Sequence, residues 1–460
     1  MIDPSGLTAF GERFDGELVL PGSAGYEGAR TVWNGMVDRR PAVVARCAGV
    51  GDVRAAIVFG REHDLPIAIR AGGHSLAGFS TCDDGIVIDL SRVHGVQVDP
   101  ERREARVLGG SLLRELDEAA QSHGLVCPVG VVGHTGVAGL TLGGGMGRLQ
   151  RRLGFTIDNL LAVELVTADG EHLRVDGDER PELFWGIRGA GANFGVVTAF
   201  EFRLHELSPT VVSGSLAFRE EHGPAVAERV RTFLAEARDE VMVSVGFGRA
   251  DRGFLPEIAG RPYVAVGTTY SGPAGGEDDA LRPLLGPLRD LAPLEDTVQP
   301  RNYLELQTMS DEAMAWGKRF YMKGAFLSEL SDAFVSTALG AVADAPGPGA
   351  SITLWAHGGA IARVPEEATA FTGRGAAFWI GVEAEWDDAA LDDEHVGWAR
   401  STNRSLQPFT AAGHYVNDMI EVGDDVVRGT YGEAKFDRLV ELKRTYDPHN
   451  VFRLNQNVRP

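Results

Sequence analysis

An α+β fold in two units is what this sequence predicts, and three observations predict it. Residues 42–124 alternate apolar runs with a 3.6-residue amphipathic pattern and then turn strand-rich. The break Ser208-Pro209-Thr210 is the best linker in the chain. Beyond it, strand-like runs alternate with helical segments, the pattern of one antiparallel sheet covered on one face by helices. With 460 residues there is length for two domains and a sizeable core. Residues 1–208 form the first unit, and the second begins at residue 209.

Element by element, Ala42-Val43-Val44-Ala45 reads as a strand. Gly51 to His63 has helical periodicity, with Asp52 early in it. Leu65-Pro66-Ile67-Ala68-Ile69 and Gly85 to Leu90 are buried strands. Val96 to Val98 and Glu104 to Val107 pair as a hairpin through Asp99-Pro100-Glu101. A helix starts at Ser111, runs to His123 and stops at Gly124. Asn159 to Thr167, Glu171 to Val175 and Val196 to Leu204 are further strands. In the second unit the strands are Val211 to Phe218, Val241 to Phe247, Tyr263 to Thr269, Ser351 to Trp355 and Phe378 to Trp386. Helices over Gly223 to Ala237 and Leu327 to Val342 separate them. Ala345-Pro346-Gly347-Pro348-Gly349 is an exposed loop. Near the end, Lys435 to Tyr446 is an amphipathic helix closed by Asp447-Pro448, and Phe452 to Val458 is extended. No internal repeat or low-complexity segment interrupts this order.

Composition excludes several classes of function. Hydrophobic content of 44% and charged content of 24% are ordinary for a soluble globular protein. A net charge of −21 argues against nucleic acid or an anionic membrane as partner, since both need a basic face. Met1 to Leu7 shows no basic stretch followed by an apolar one, and no run of 18 or more apolar residues exists. Three cysteines, Cys47, Cys82 and Cys127, are sparse and lack metal-ligand spacing. The expectation is a cytoplasmic protein without structural disulfides or a metal site, either a monomer or a homo-oligomer.

The chemistry-bearing segments are glycine-rich. Arg70-Ala71-Gly72-Gly73-His74-Ser75 comes directly after a buried strand and offers bare backbone N–H groups beside one imidazole. Gly133-His134-Thr135-Gly136-Val137-Ala138-Gly139-Leu140-Thr141-Leu142-Gly143-Gly144-Gly145-Met146-Gly147 is a second such loop. Its apolar residues Val137, Leu140 and Leu142 argue against a mobile surface loop. Gly189-Ala190-Gly191-Ala192-Asn193-Phe194-Gly195 has the spacing of a dinucleotide-binding G-x-G-x-x-G. The next segment, Val196 to Phe202, is a strand and not a helix, so a Rossmann reading is rejected.

Together with Gly154 to Leu160, Leu183 to Thr198 and Tyr446 to Asn457, these motifs resemble, in order and spacing, the berberine-bridge-enzyme-like FAD-linked oxidases of the vanillyl-alcohol-oxidase superfamily. The likeness is dense over residues 40–208, clear over 413–460 and weak between. It is greatest to the bacterial 6-hydroxy-D-nicotine oxidase type. The resemblance implies a two-part FAD-binding domain of the PCMH type, its core at about 38–208. It implies a substrate domain at 209–412, with 413–460 returning to the flavin domain. It implies FAD bound covalently through His74. Arg70, Ala71, Gly72, Gly73, Ser75 and Gly78 would surround the cofactor, as would Gly133, His134, Thr135, Gly136, Gly139, Gly143, Gly144 and Gly147. Gly195, Val197, Asn455 and Asn457 complete that set. Some members carry a second, cysteinyl bond. The aligned position here is Val132, so Cys127 reads as a small buried residue and a single link is expected.

Within the same resemblance, Tyr415-Val416-Asn417 matches an element that approaches the flavin from the substrate side. Read as extended, it puts Tyr415 and Asn417 on one face. Tyr415 could accept or relay a proton if its pKa is lowered. Lys323, His357, Glu383 and Glu385 are the other candidate bases, and which glutamate faces the flavin stays open. The expected activity is that of an oxidase taking a hydride from a small amine, alkaloid or secondary-metabolite alcohol and passing electrons to O2 to give H2O2. A carbohydrate oxidase, an FAD-dependent dehydrogenase, an NADPH-linked reductase and a catalytically silent flavin-binding protein are the alternatives.

Overall fold

The computed structural model describes residues 4–460; Met1–Asp3, where the reading of the N-terminus begins, lie outside the described residues. Its class is α+β, as expected. Val43–Arg46, Ile67–Arg70 and Ile86–Asp89 form a small parallel sheet with Glu17–Val19 antiparallel on its edge. The first three residues of each parallel strand are apolar because both faces are covered, and each strand ends in a charged residue, Arg46, Arg70 or Asp89. A second sheet, fully antiparallel, runs Val96–Asp99, Glu104–Leu108, Val196–Arg203, Leu160–Val166, His172–Asp176 in spatial order.

The large sheet takes the rest. Thr210–Arg219, Pro262–Tyr270, Val241–Arg249, Ala350–Ala356, Phe378–Trp386 and Arg319–Leu327 are successive antiparallel neighbours. On one face, Val243, Ile352, Leu354, Val382 and Ala384 pack with Phe334 and Val335 of the helix Asp332–Ala343. On the other face, Phe320, Met322, Phe326 and Trp379 pack with Trp33, Phe155 and Tyr415. The sheet therefore covers a core on each side, one under its helices and one against Trp33, Phe155, Ile157 and Tyr415.

Four local expectations are corrected, and one helix, Pro181–Ala190, is added to them. Arg319–Leu327 is a strand, and the helix expected from Leu327 begins only at Asp332. Because both faces of that strand are buried, its side chains show no polar alternation, which hid it. Val137–Gly143, expected as loop, is a short helix whose apolar residues enter the core. Phe452–Val458 is irregular rather than a strand. Val416–Asp418 is a turn of 3-10 helix, so Tyr415 and Asn417 are not two positions of an extended segment.

The C-terminal segment is fastened by buried charge. Lys443 donates to Asp447 at 2.7 Å, both side chains fully buried, and also to the carbonyls of Asn193 and Phe452. The Asp447 carboxylate accepts from the Val451 and Phe452 N–H groups. Across the two halves of the molecule, Arg374 gives a two-pronged bond to Asp158 at 2.7 and 3.0 Å. No helix among the described residues is long and apolar enough to cross a membrane.

Candidate active site

A cavity of about 580 Å³ lies between the glycine loops and the large sheet. One wall is backbone: Ala71 to Leu76, Gly130 to Val132, Thr135, Gly136 and Gly189 to Asn193. Facing it are Phe320, Met322, Thr353, Trp355, Trp379 and Glu383 from the sheet, and Tyr415 to Met419 close one end. Glycine is required where the two loops meet. A Cβ on Gly72 would fall 2.1 Å from the Gly136 nitrogen, and one on Gly136 would fall 2.4 Å from the Gly72 nitrogen. The loops are thus locked backbone to backbone, leaving their amides as a flat surface. Among the described residues no Lys or Arg lines the cavity, so a bound phosphate would rely on backbone N–H groups.

His74 stands on this wall. Its ring stacks on Trp33 at 4.9 Å and 15°, and its Nε2 lies 2.7 Å from His134 Nδ1. Burial, and then the neighbouring His134, push its pKa down to about 3. The imidazole is neutral at physiological pH, and its Nδ1 has no hydrogen bond among the described residues. That is the state a nucleophilic imidazole needs. His134 is held from behind by the Asp311 carbonyl at 3.3 Å, while the Asp311 carboxylate accepts from the Gly133 N–H at 2.6 Å.

The structure separates the expected cofactor residues into two groups. Ala71, Gly72, Gly73, His74, Ser75, Thr135, Gly136, Gly139, Gly143, Gly195, Val197 and Asn455 line the cavity. Arg70, Gly78, Gly133, His134, Gly144, Gly147 and Asn457 do not. Arg70 instead forms a buried pair with Asp89 at 2.9 Å, holding the strand end that leads into the loop. In the irregular tail, Gln456 replaces Asn457 as the neighbour of Asn455 in the wall. The Asn455 Oδ1 and Gln456 Oε1 atoms are buried without partners. Two unpaired acceptors beside a cavity are costly unless a bound group donates to them. The amide surface and these acceptors fit a flavin dinucleotide.

Of Lys323, His357, Glu383 and Glu385, Glu383 is the one that lines the cavity. Lys323 points to the opposite side of its strand and pairs with Glu421 at 2.5 Å. Glu385 pairs with Lys318 at 2.5 Å, beyond the cavity rim. His357 is buried between Phe155 and Phe326 with neither ring nitrogen bonded, and burial pushes its pKa to about 3. Tyr415 is also unsuited to take a proton, because burial raises its pKa. Its hydroxyl accepts from the Gly145 N–H at 3.1 Å and from Asn417 Nδ2 at 2.8 Å. Asn417 also donates to the Leu140 carbonyl. Both residues line the cavity, and both hold the glycine loop in place.

Sequence reasoning missed Asp418, although it directly adjoins Asn417. Its buried carboxyl accepts from Trp379 Nε1 at 2.6 Å, and burial raises its pKa strongly. Glu383 is pushed up to about 7, first by burial and then by Glu385. Trp33 and Trp379 were missed too, since an aromatic in an apolar run carries no signal of the cavity it faces.

Comparison with known proteins identifies the family. A family model described as FAD binding domain matches residues 41–176, and one described as berberine and berberine like matches residues 414–459. (R)-6-hydroxynicotine oxidase of Paenarthrobacter nicotinovorans is 32% identical over 97% of this chain and 97% of its own. The FAD-linked oxidoreductase YvdP of Bacillus subtilis is 30% identical over 97% and 98%. The crystal structure of 6-hydroxy-D-nicotine oxidase from Arthrobacter nicotinovorans superposes with a TM-score of 0.86 at 30% identity, covering 97% of this chain and 98% of that one. A xylooligosaccharide oxidase from Myceliophthora thermophila shares the fold, with a TM-score of 0.86 at 21% identity and 99% of both chains covered. Carrying both family domains on a PCMH-type fold, the chain belongs to the berberine-bridge-enzyme-like FAD-linked oxidoreductases.

Proposed function

We propose that this FAD-dependent oxidoreductase is an oxidase that carries its flavin on His74 alone. Its substrate would be an amine, an alkaloid or a secondary-metabolite alcohol, and O2 would be reduced to H2O2. One observation carries the reading: a neutral, stacked imidazole on the backbone wall faces a carboxyl-bearing sheet across a single cavity. Bound FAD would supply a hydride acceptor that O2 can reoxidise. The chain's own residues do the rest. Ala71 to Ser75, Thr135 and Gly136 would hold the ring system, and Asn455 and Gln456 would accept hydrogen bonds from it. Phe320, Met322, Trp355 and Trp379 exclude water. Glu383, with a pKa of about 7, is poised to take the substrate's proton near neutral pH.

A single flavin bond is supported by Cys127. Its thiol is fully buried away from the cavity, and the wall position is taken by Val132. A carbohydrate oxidase is the second reading, since solved structures named as such share the fold. The test is peroxide release across amines, alcohols and oligosaccharides, paired with the intact mass of acid-denatured protein. Peroxide and the added mass of one FAD are expected. An unmodified mass, or no peroxide with any class, defeats the reading.

A further inference from the structure

Behind the cavity wall at Gly130 lies a buried polar cluster. Asp117 stands on the helix Leu113–Gln121, and Tyr303 and Gln307 stand on the helix Tyr303–Thr308. All three are buried. Gln307 Nε2 donates to Asp117 Oδ2 at 3.2 Å and to the Gly130 carbonyl at 2.9 Å. Gly130, Val131 and Val132 line the cavity. One side-chain amide therefore joins an ionisable carboxyl to the wall by two bonds. The same helix also pins the wall sterically, since a Cβ on Gly130 would fall 3.1 Å from Leu113 Cδ1. Arg148, which faces Asp117, follows Gly147, and a Cβ on Gly147 would fall 1.8 Å from the Val129 carbonyl oxygen.

The groups that face Asp117 are Gln307, Tyr303, Arg148, Glu118 and Cys127. Burial lowers the Arg148 pKa only to about 10, so it stays cationic at neutral pH. Burial drives Tyr303 and Cys127 well above their usual range, so both stay neutral. Burial pushes Asp117 itself up to about 7. Of these four, Asp117 alone changes charge near neutral pH. Asp117 Oδ1, Gln307 Oε1 and Arg148 Nη1 are buried without partners among the described residues, so the cluster keeps bonding capacity to answer that change. When Asp117 ionises, its bond from Gln307 becomes charge-assisted and roughly twice as strong. Polarisation of the amide strengthens its other N–H bond, to Gly130, in the same sense.

We propose that Asp117 is a positioning residue for the flavin, drawing the wall segment Gly130 to Val132 tighter through Gln307 when its carboxyl is ionised. The inference rests on the cavity holding FAD, and on neither the link to His74 nor the choice of substrate.

A pH titration of the flavin absorption band in the holoprotein tests this. Glu383 lines the cavity and titrates in the same range, so the series is made in a Glu383→Gln background. One transition near pH 7 is expected in that parent. Asp117→Asn should abolish it. Gln307→Leu should abolish it as well, while leaving the pH dependence of urea stability in place. A merely structural Asp117 would change stability in the variants and leave the band's transition where it was. Hydrogen exchange of the amides of residues 130–132 is a second readout, and it needs no flavin. Corrected for intrinsic rates, exchange should slow severalfold as the pH rises through 7 in the parent and not in Asp117→Asn. A flat band or flat exchange in the parent, or survival of either transition in Asp117→Asn, overturns the proposal. If Gln307→Leu does not fold, Asp117→Asn decides. Protein that binds no flavin defeats the oxidase reading, and hydrogen exchange then decides the role of Asp117.

Discussion

At His74 the surroundings matter as much as the residue. Stacking on Trp33 fixes the ring plane, and the His134 bond engages Nε2. If the flavin is carried there, His74→Ala will release it on acid treatment while Cys127→Ala will not. Flavin that stays with the denatured His74→Ala chain would show a second bond. Tyr415 behaves differently from its reading as a proton relay. Its hydroxyl is the acceptor for two donors, the buried Gly145 N–H and the part-buried Asn417 Nδ2. Tyr415→Phe strands them, at a cost of about 1–3 kcal/mol. Urea unfolding should show that loss, with flavin reduction by substrate altered only severalfold. A hundredfold slower reduction at unchanged stability would place the phenol on the substrate instead.

Among elements, the helices behind the glycine loops set their positions. Asp117 on the helix Leu113–Gln121 accepts from Gln307 at 3.2 Å, and Gln307 also donates to the Gly130 carbonyl in the cavity wall. Burial raises the Asp117 pKa from 3.8 to about 7. The folded state then holds a proton that the unfolded chain has lost, so stability is greatest below pH 3.8 on this account and falls as pH rises to about 7. Asp117→Asn should flatten the dependence, leaving wild type less stable than the variant by roughly 2–4 kcal/mol more at pH 8 than at pH 4. Parallel urea midpoints that track each other across that range would refute it. At the tail, Lys443→Met leaves the Asp447 carboxylate buried and unpaired. A loss of about 3–5 kcal/mol is expected, and early proteolysis within residues 447–460 is its readout.

For the whole molecule, the decisive feature is the direction of chain through Gly189 to Gly195. A helix enters this segment and the strand Val196–Arg203 leaves it, the reverse of the strand-to-helix order that binds a nicotinamide dinucleotide. Gly189 is also blocked, since a group at its Cβ position would lie 2.4 Å from the Phe371 nitrogen. Micromolar NADPH should therefore neither bind nor bleach the flavin. Rapid anaerobic bleaching would favour a reductase.

Local sequence was sufficient where one residue type has one physical use. Paired glycines next to a histidine, after a buried strand, marked the backbone wall and His74 because bare amides and a nucleophile are readable from residue type alone. The alternation of Val241 to Phe247 and Tyr263 to Thr269 marked the large sheet. Local sequence failed where a side chain's role depends on what covers it. The strand Arg319–Leu327 has apolar residues on both faces, with Arg319 and Lys323 among them, so no clean alternation announced it. Glu383 and Glu385 share one face of their strand, and only the position of Lys318 decides which one is paired off and which one enters the cavity. Asp418 is a surface-type residue by composition, and it became a cavity carboxyl because Gly324, remote in sequence, leaves room above the sheet. Burial, register and counter-charge are properties of distant segments brought together, so the tertiary structure alone could decide them.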